Sequence, residues 1–289
     1  MQAIGIIGLG IMGIPMAKNL LKNGFPLHVY ARRPETCQEL ITSGAHFHDT
    51  PAKLAQAADV IITIVNATQD VEEVLLGKDG VTSGAKAGTI IIDMSTISAD
   101  ATQKIAAQLA THKLEMLDAP VSGGEQGAIA GTLSIMVGGK NSVLEQVKQI
   151  FAAIGKQVVH IGEQHGAGQT AKACNQIIIA ETIVAVSEAL QLAQAAGIDP
   201  AKVREALLGG FAASRVLEVH GKRMLDNDYK PGFKASLHRK DMRLALEQAQ
   251  GVALNLPAAN YAMQCLDSVV EKGHSEKDSS AIHLVVKEN

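Results

Sequence analysis

The chain has 289 residues and a formal net charge of −3, so it is long enough for two domains, or for one large one. So small a charge excludes the basic surface of a typical nucleic-acid-binding protein. Its three cysteines, Cys37, Cys174 and Cys265, are odd in number and far apart, which indicates neither a disulfide framework nor a metal site. The N-terminus lacks the charged region of a signal peptide, and the apolar stretch Ile177–Val186 is too short to span a bilayer. We therefore expect a cytoplasmic protein with no nucleic-acid or membrane partner.

The N-terminal half alternates short β-branched runs with helical segments as far as about Ile161. This alternation predicts an α/β domain with a Rossmann-type, doubly wound sheet that is parallel for most of its strands and covered on both faces. The predicted strands are Ala3–Ile7, Leu27–Tyr30, Val60–Val65, Thr89–Asp93, Glu115–Ala119, Leu133–Val137 and Val158–His160, with helices such as Pro15–Lys22, Pro34–Ser43 and Ala99–Thr111 between them.

The C-terminal half is predicted to be all helical. Its first helix, Gln169–Ala196, would be about 28 residues or roughly 40 Å long. Further helices are predicted at Ala201–Leu208, Arg215–Leu225, Leu237–Gly251 and Ala258–Lys272. We expect a dinucleotide-binding domain over 1–162 and a helical substrate and oligomerisation domain over 163–289, joined by the long helix at about 168–196. Small ligands often bind in a cleft between domains.

The first strand is followed directly by a glycine-rich loop that opens a helix, Gly8-Leu-Gly10-Ile-Met-Gly13. Glycines alone also make ordinary tight turns, but this position favours a dinucleotide site. Gly8 permits the turn, Gly10 lets the backbone approach a pyrophosphate, and Gly13 allows close packing of the helix on the strand. Free N–H groups at the helix start then bind phosphate.

The end of the second strand carries Arg32 and Arg33 where NAD-preferring sites usually have Asp or Glu. A guanidinium can bind the 2′-phosphate of NADP(H), whereas a carboxylate would repel it. The sequence therefore predicts that NADP(H) is preferred and that NAD(H) is possible. One of the two arginines could equally be a solvated surface residue.

Two further segments carry polar chemistry. In Asp118–Gly124, Ser122 is followed by Gly123 and Gly124, whose N–H groups could surround a carboxylate, although an ordinary turn explains the glycines equally well. Lys172 stands near the start of the long apolar helix, where a buried ammonium needs a partner or a cleft. Asn175 lies three residues later, so a helix places both side chains on one face.

Four separated segments together resemble the β-hydroxyacid dehydrogenase family. They are Gly8–Ala17, Asp118–Gly124, Gly166–Asn175 and Lys240–Ala245. Within the family, Gly123–Glu125 and three other segments are most similar to the enzymes whose substrate carries a hydroxyl group beside the carboxylate. The alternative is the enzymes whose substrate carries a methyl group at that position. These three segments are Gly131–Gly139, Val216–Gly221 and Pro231–Asp241.

The resemblance implies a role for each matching residue. Lys172 would be the catalytic proton donor, and Asn175 would position the substrate or the lysine. Ser122, Gly123 and Gly124 would bind the substrate carboxylate. The cofactor would be bound by Gly8, Gly10, Ile11, Met12, Gly13, Arg32, Arg33, Asn66, Thr96 and Lys240.

Other interpretations stay open. A non-catalytic dinucleotide sensor would need neither Lys172 nor Asn175, and reductases acting on imines typically lack the lysine. Glu125 could read a substrate hydroxyl or be a solvated loop carboxylate. Apolar helix faces in the second half further predict a homo-oligomer, a dimer or tetramer. The resemblance implies a small hydroxyacid or semialdehyde substrate, and no metal site is expected from the sequence.

Overall fold

The computed structural model describes residues 1–286, which form two compact units. The first comprises residues 1–172 and the second begins at Ala173. The boundary lies within the first turns of the long helix, whereas the sequence placed it between residues 162 and 163, before the helix begins.

One mixed sheet runs through the first unit. Among the described residues it has nine strands in the order β3-β2-β1-β4-β5-β6-β8-β7, with β9 paired to β8. The six strands β1 to β6 are all parallel to one another, while β8 runs antiparallel to β6 and β7. Their bounds are β1 Ile4–Ile7, β2 Leu27–Tyr30, β3 His46–Phe47, β4 Val60–Thr63, β5 Ile90–Asp93, β6 Glu115–Asp118, β7 Val121–Ser122, β8 Leu133–Gly138 and β9 Gly155–Gly162. The predicted Rossmann-type class is confirmed.

Helices cover this sheet, and several begin at residues that cap them. Thr50 and Ser98 each accept a hydrogen bond from the first turn of the helix that follows, which satisfies a backbone donor that the helix itself cannot. The helices of the first unit are α1 Gly13–Lys22, α2 Gln38–Thr42, α3 Pro51–Ala57, α4 Thr68–Leu76, α5 Ala99–Thr111, α6 Gly124–Ala130 and α7 Asn141–Ile154, with 3-10 turns at Pro34–Cys37 and Val81–Ser83.

Alternate residues of the central strands supply two separate cores. On β1, Ile4 and Ile6 belong to one apolar cluster and Ile7 belongs to the other. The same division holds on β5, where Ile92 and Ile91 belong to different clusters. Because successive side chains of a strand point to opposite faces, this division shows a sheet buried on both sides.

The second unit is helical in its described part, apart from one β-bridge between Lys234 and Asp278. A separate apolar cluster, which includes Ile183, Leu217 and Leu266, forms its core. Its helices follow α8 Ala167–Ala195 and are α9 Pro200–Leu208, α10 Arg215–Asp226, α11 Ala235–Gly251, α12 Pro257–Glu271 and α13 Ile282–Val286, with a 3-10 turn at Ser279–Ala281.

The helix α8 is long and apolar enough to cross a membrane by length and composition, and no other helix among residues 1–286 is. Core helices of soluble proteins meet the same two criteria. In α8, 44% of the most apolar window is buried within the protein. The shorter apolar stretch singled out in the sequence is part of this helix.

Candidate active site

The six mutually parallel strands β1 to β6 end along one edge of the sheet. Ile7 at the end of β1 is paired with Tyr30 of β2 and with Thr63 of β4. The row continues from Thr63 to Asp93 of β5 and from there to Asp118 of β6. The loops that follow these residues contain the cofactor and substrate residues predicted in the first unit. In doubly wound folds, ligands bind at this edge.

The glycine loop after β1 has the space that a dinucleotide requires. A Cβ on Gly8, whose φ is +106°, would collide with the backbone oxygen of Ile64, and a Cβ on Gly13 would collide with that of Gly8. A Cβ on Gly10 would meet nothing within 4 Å, so the backbone there is open to a ligand. No side chain caps the start of α1, the end of a helix at which phosphates bind in such folds. Each glycine therefore does what a pyrophosphate site needs.

Arg32 follows β2 and is already partnered. One of its guanidinium nitrogens lies 3.2 Å from Oδ1 of Asp70, in the first turn of α4. The Arg32 side chain is still 66% exposed, and Arg33 beside it is exposed too. Asp70, which the sequence analysis did not single out, holds Arg32 while leaving most of its surface accessible.

Asn66 and Thr96 lie in the loops after β4 and β5, as expected from their place in the sequence. Asn66 is exposed and Thr96 is half-buried. These two loops are joined, because the backbone N–H of Val65 donates to the hydroxyl of Ser95 at 2.9 Å. Both predicted cofactor residues therefore lie on one connected rim of the sheet.

Asp93 lies beneath this rim and is fully buried. Its Oδ1 accepts hydrogen bonds from the Thr63 hydroxyl at 2.8 Å and from the Ser95 N–H at 3.2 Å. Burial raises the pKa of Asp93 to about 6, in spite of these hydrogen bonds, because the charged form loses its water.

Asp118 at the end of β6 holds the start of α8. Its carboxylate accepts hydrogen bonds from the backbone N–H groups of Gly166 at 2.8 Å and Gln169 at 3.0 Å. Burial raises the pKa of Asp118, and the two N–H donors oppose the rise. The approach is close, since a Cβ on Gly168 would collide with backbone at Met136 and Asp118. Asp118 therefore acts as a helix cap rather than as part of the glycine loop that follows it.

Gln169 makes a second link between α8 and the strand edge. It is 2% exposed, its Oε1 accepts from the N–H of Ile97 at 3.2 Å, and its Nε2 donates to the carbonyl of Ser95 at 2.9 Å. Thr96 lies between these two backbone partners. Lys172 is one helical turn beyond Gln169 and is 7% exposed. The predicted proton donor is therefore carried by a helix end that is hydrogen-bonded to the last residue of β6 and to the loop after β5.

The predicted carboxylate loop has a backbone conformation that depends on its two glycines. Ser122 ends β7, and Gly123 and Gly124 have φ values of +131° and +62°, which L side chains rarely adopt. No side chain caps the helix α6 that starts at Gly124. Glu125 in its first turn lines a groove of about 380 Å³ together with Gly10. Glu125, which directly follows the carboxylate loop, and Gly10 of the glycine loop thus border one groove of the first unit.

Asn175 and Lys240, which belong to the second unit, are linked through two buried side chains. Asn175 donates to Gln176 at 2.8 Å, and Gln176 donates to Asp241 at 2.7 Å. Asp241 lies 2.9 Å from the ammonium of Lys240. His238 is fully buried and lies 3.3 Å from the backbone oxygen of Gln176.

Comparisons with known proteins give the family of this chain. A family model for the NAD-binding domain of 6-phosphogluconate dehydrogenase matches residues 3–162, and one for the NAD-binding of NADP-dependent 3-hydroxyisobutyrate dehydrogenase matches residues 166–286. The 2-hydroxy-3-oxopropionate reductase of Escherichia coli is 48% identical over 279 residues, 96% of this chain and 95% of the relative. The chain belongs to the β-hydroxyacid dehydrogenase family.

Other members of the β-hydroxyacid dehydrogenase family are also similar along their whole length. The NAD-dependent L-serine dehydrogenase of Pseudomonas aeruginosa is 37% identical over 289 residues, 98% of this chain and 97% of the relative. The crystal structure of 3-hydroxyisobutyrate dehydrogenase from Salmonella typhimurium has a TM-score of 0.89 at 30% identity and covers 99% of this chain and 100% of that one. The chain is therefore an NAD(P)-dependent oxidoreductase that acts on the CH–OH group of a small β-hydroxyacid.

Four residues that contact the predicted site residues or the loops beside them were not predicted from the sequence: Asp70, Asp93, Gln169 and Gln176. Asp93 had a visible signal, since an acid ending the apolar run of β5 is unusual. Gln169 is one turn before Lys172, which places it on the same helix face. Asp70 had no local signal, because its partner is far away in the sequence.

Proposed function

We propose that this β-hydroxyacid dehydrogenase reduces tartronate semialdehyde (2-hydroxy-3-oxopropanoate) to D-glycerate with NADPH. The observation that carries the proposal is the 48% identity to the 2-hydroxy-3-oxopropionate reductase of Escherichia coli across 96% of the chain. Relatives named for other substrates are less similar; the NAD-dependent L-serine dehydrogenase of Pseudomonas aeruginosa, for example, is 37% identical.

The substrate carboxylate would bind at Ser122, Gly123 and Gly124. The positive-φ backbone at the two glycines and the start of α6, which no side chain caps, would supply N–H donors for an anion. Glu125 would accept a hydrogen bond from the hydroxyl beside the carboxylate, a group that the methyl-bearing substrate of 3-hydroxyisobutyrate dehydrogenase lacks. This loop therefore supports a hydroxylated acid.

Lys172 would protonate the substrate oxygen. Reduction of an aldehyde builds negative charge on the carbonyl oxygen, and a positioned ammonium stabilises that charge and then delivers a proton. A bound nicotinamide dinucleotide supplies the hydride. The backbone N–H groups of Gly166 and Gln169 donate to Asp118. These hydrogen bonds hold the helix end from which Lys172 extends.

The cofactor would be bound by the glycine loop, with Arg32 selecting NADPH. Its guanidinium is exposed enough to bind a 2′-phosphate bidentately. Lys240, paired with Asp241, would be a further cation that binds the cofactor.

The decisive experiment compares substrates and cofactors in one assay. We expect a higher kcat/KM for tartronate semialdehyde with NADPH than for 3-hydroxyisobutyrate with NADP+ or L-serine with NAD+. The methyl-bearing substrate is the second candidate, because the family model of the second unit is that of NADP-dependent 3-hydroxyisobutyrate dehydrogenase. A larger kcat/KM for 3-hydroxyisobutyrate would overturn the proposal in favour of that candidate.

A further inference from the structure

A chain of hydrogen bonds in the second unit begins at the amide of Asn175. Asn175 Nδ2 donates to Oε1 of Gln176 at 2.8 Å, and Gln176 Nε2 donates to Oδ2 of Asp241 at 2.7 Å. Gln176 is 2% exposed and Asp241 is 3% exposed, so bulk water does not replace these partners. The ammonium of Lys240 lies 2.9 Å from the other oxygen of Asp241.

The chemistry of these groups determines which partner donates in each of these hydrogen bonds. Asp241, ion-paired with Lys240, can only accept hydrogen bonds, so Gln176 must turn its NH2 group toward it. The carbonyl oxygen of Gln176 then faces Asn175 and can only accept as well. Asn175 must therefore present its own NH2 group to Gln176. An isolated amide can turn over at little cost, but here the carboxylate determines both orientations.

We propose that Gln176 is a positioning residue that holds the amide of Asn175 with its Oδ1 directed to the reacting groups. The inference rests on the proposed function, in which Asn175 works beside Lys172 on one face of α8. The lysine ammonium and a substrate hydroxyl are both hydrogen-bond donors, and Oδ1 can accept from either. If the amide turned over, a donor would face a donor and the contact would be lost.

The backbone at Gln176 is also restrained. The ring of His238, which is fully buried, places Nε2 3.3 Å from the backbone oxygen of Gln176. Gln176 lies inside the long helix α8, well away from both ends. Its side chain therefore starts from a fixed point, and its hydrogen bonds set the orientation of Asn175 rather than the course of the main chain.

A double-mutant cycle in the full-length protein tests this role. Gln176→Met keeps the length of the side chain and removes both hydrogen bonds, and we expect kcat to fall about tenfold, the effect of one lost hydrogen bond in the reacting complex. In an Asn175→Ala background, the same substitution should change kcat less than about twofold, because the residue that it positions is gone. Gln191→Met, elsewhere on α8, is the matched control and should leave kcat unchanged.

Two results would overturn the inference. A tenfold loss that persists in the Asn175→Ala background would show that Gln176 acts by packing alone, and an unchanged kcat in Gln176→Met would show no role. The side-chain NH2 resonances of Asn175 provide a readout independent of turnover. Their hydrogen exchange should be slow in the wild type and faster in Gln176→Met, even if the wild-type protein were inactive toward every semialdehyde, which would contradict the proposed function instead.

Discussion

At the scale of single residues, Lys172 is the side chain on which the proposed chemistry depends. It is buried on a helix whose start is hydrogen-bonded to Asp118 at the end of β6 and to Ser95 in the loop after β5. Lys172→Ala should lower kcat by about 10²-fold or more, because the substrate oxygen loses its proton donor. Steady-state kinetics will measure this loss, and calorimetry should give an unchanged Kd for NADPH.

The control for Lys172 is Lys202→Ala, which removes an exposed lysine from α9. That variant should retain both turnover and cofactor binding. Near-wild-type turnover in Lys172→Ala would rule out the proposed proton donor.

Asp93 makes stability depend on pH. Burial raises its pKa to about 6 in the folded protein from an ordinary value of 3.8. Because the folded protein favours the protonated carboxyl, the contribution of Asp93 to stability is fully present below its ordinary pKa of 3.8. This contribution is lost as the pH rises through 6, and above that pH ionisation of the buried group costs about 3 kcal/mol. Asp93→Asn should therefore raise the free energy of unfolding at pH 8, by up to about 3 kcal/mol, since its amide oxygen still accepts from Thr63 and Ser95.

Urea unfolding at several pH values checks this prediction. The gain in Asp93→Asn over the wild type should shrink between pH 6 and pH 4, whereas Asp100→Asn, an exposed pair partner of Lys104, should show no comparable change. A gain that is independent of pH would mean that the Asp93 charge is not its cause.

At the scale of elements, the start of α8 depends on one carboxylate. Asp118→Ala would leave the N–H groups of Gly166 and Gln169 buried without their acceptor, which costs about 1–3 kcal/mol for such groups. We expect a lower melting temperature and also a lower kcat, because Lys172 extends from the same helix end. Thermal unfolding followed by circular dichroism, together with kinetics, will measure both.

The comparison for Asp118 is Asp100→Ala, in the first turn of α5, where the carboxylate is exposed. A surface ion pair of this kind contributes about 0–1 kcal/mol, so little should change. Equal melting temperatures for the two variants would contradict the capping role.

Elements with strong local patterns were predicted well, and those without were not. The strand β2 and the helix α5 have the bounds that the sequence predicted. The helix α6, with Gly124 and Gly127 among its seven residues, has poor helix propensity and was not predicted. It is held instead from α1, where the amide of Asn19 donates to the carbonyl of Ala128 at 2.8 Å. Such a contact between distant segments leaves no periodicity in the sequence.

At the scale of the whole molecule, cofactor binding should stabilise the fold. A ligand that binds only the folded state at 100 times its Kd adds about 2.7 kcal/mol. NADPH should therefore raise the melting temperature more than NADH at equal concentration. Arg32→Ala should reduce the shift with NADPH while leaving that with NADH, which serves as the internal control. An equal shift with both cofactors in the wild type would refute the predicted preference.

The division into an α/β half and a helical half was predicted from the order of strand and helix segments in the sequence. The relatives match nearly the whole chain. The homo-oligomer stays a prediction. Fully exposed Phe211, together with exposed Ile178 and Leu192 in the second unit, shows apolar surface of the kind on which it was based.

The sequence by itself determined the sheet class, the glycine loop and the spacing of Lys172 and Asn175, because each of these depends on residues close together in the chain. Only the tertiary structure decided which polar groups meet. The pairs Thr63 with Asp93, Asp118 with Gln169, and Gln176 with Asp241 are 30, 51 and 65 residues apart. Hydrogen-bond partners so distant have no local pattern, since folding alone brings them together and removes the water between them.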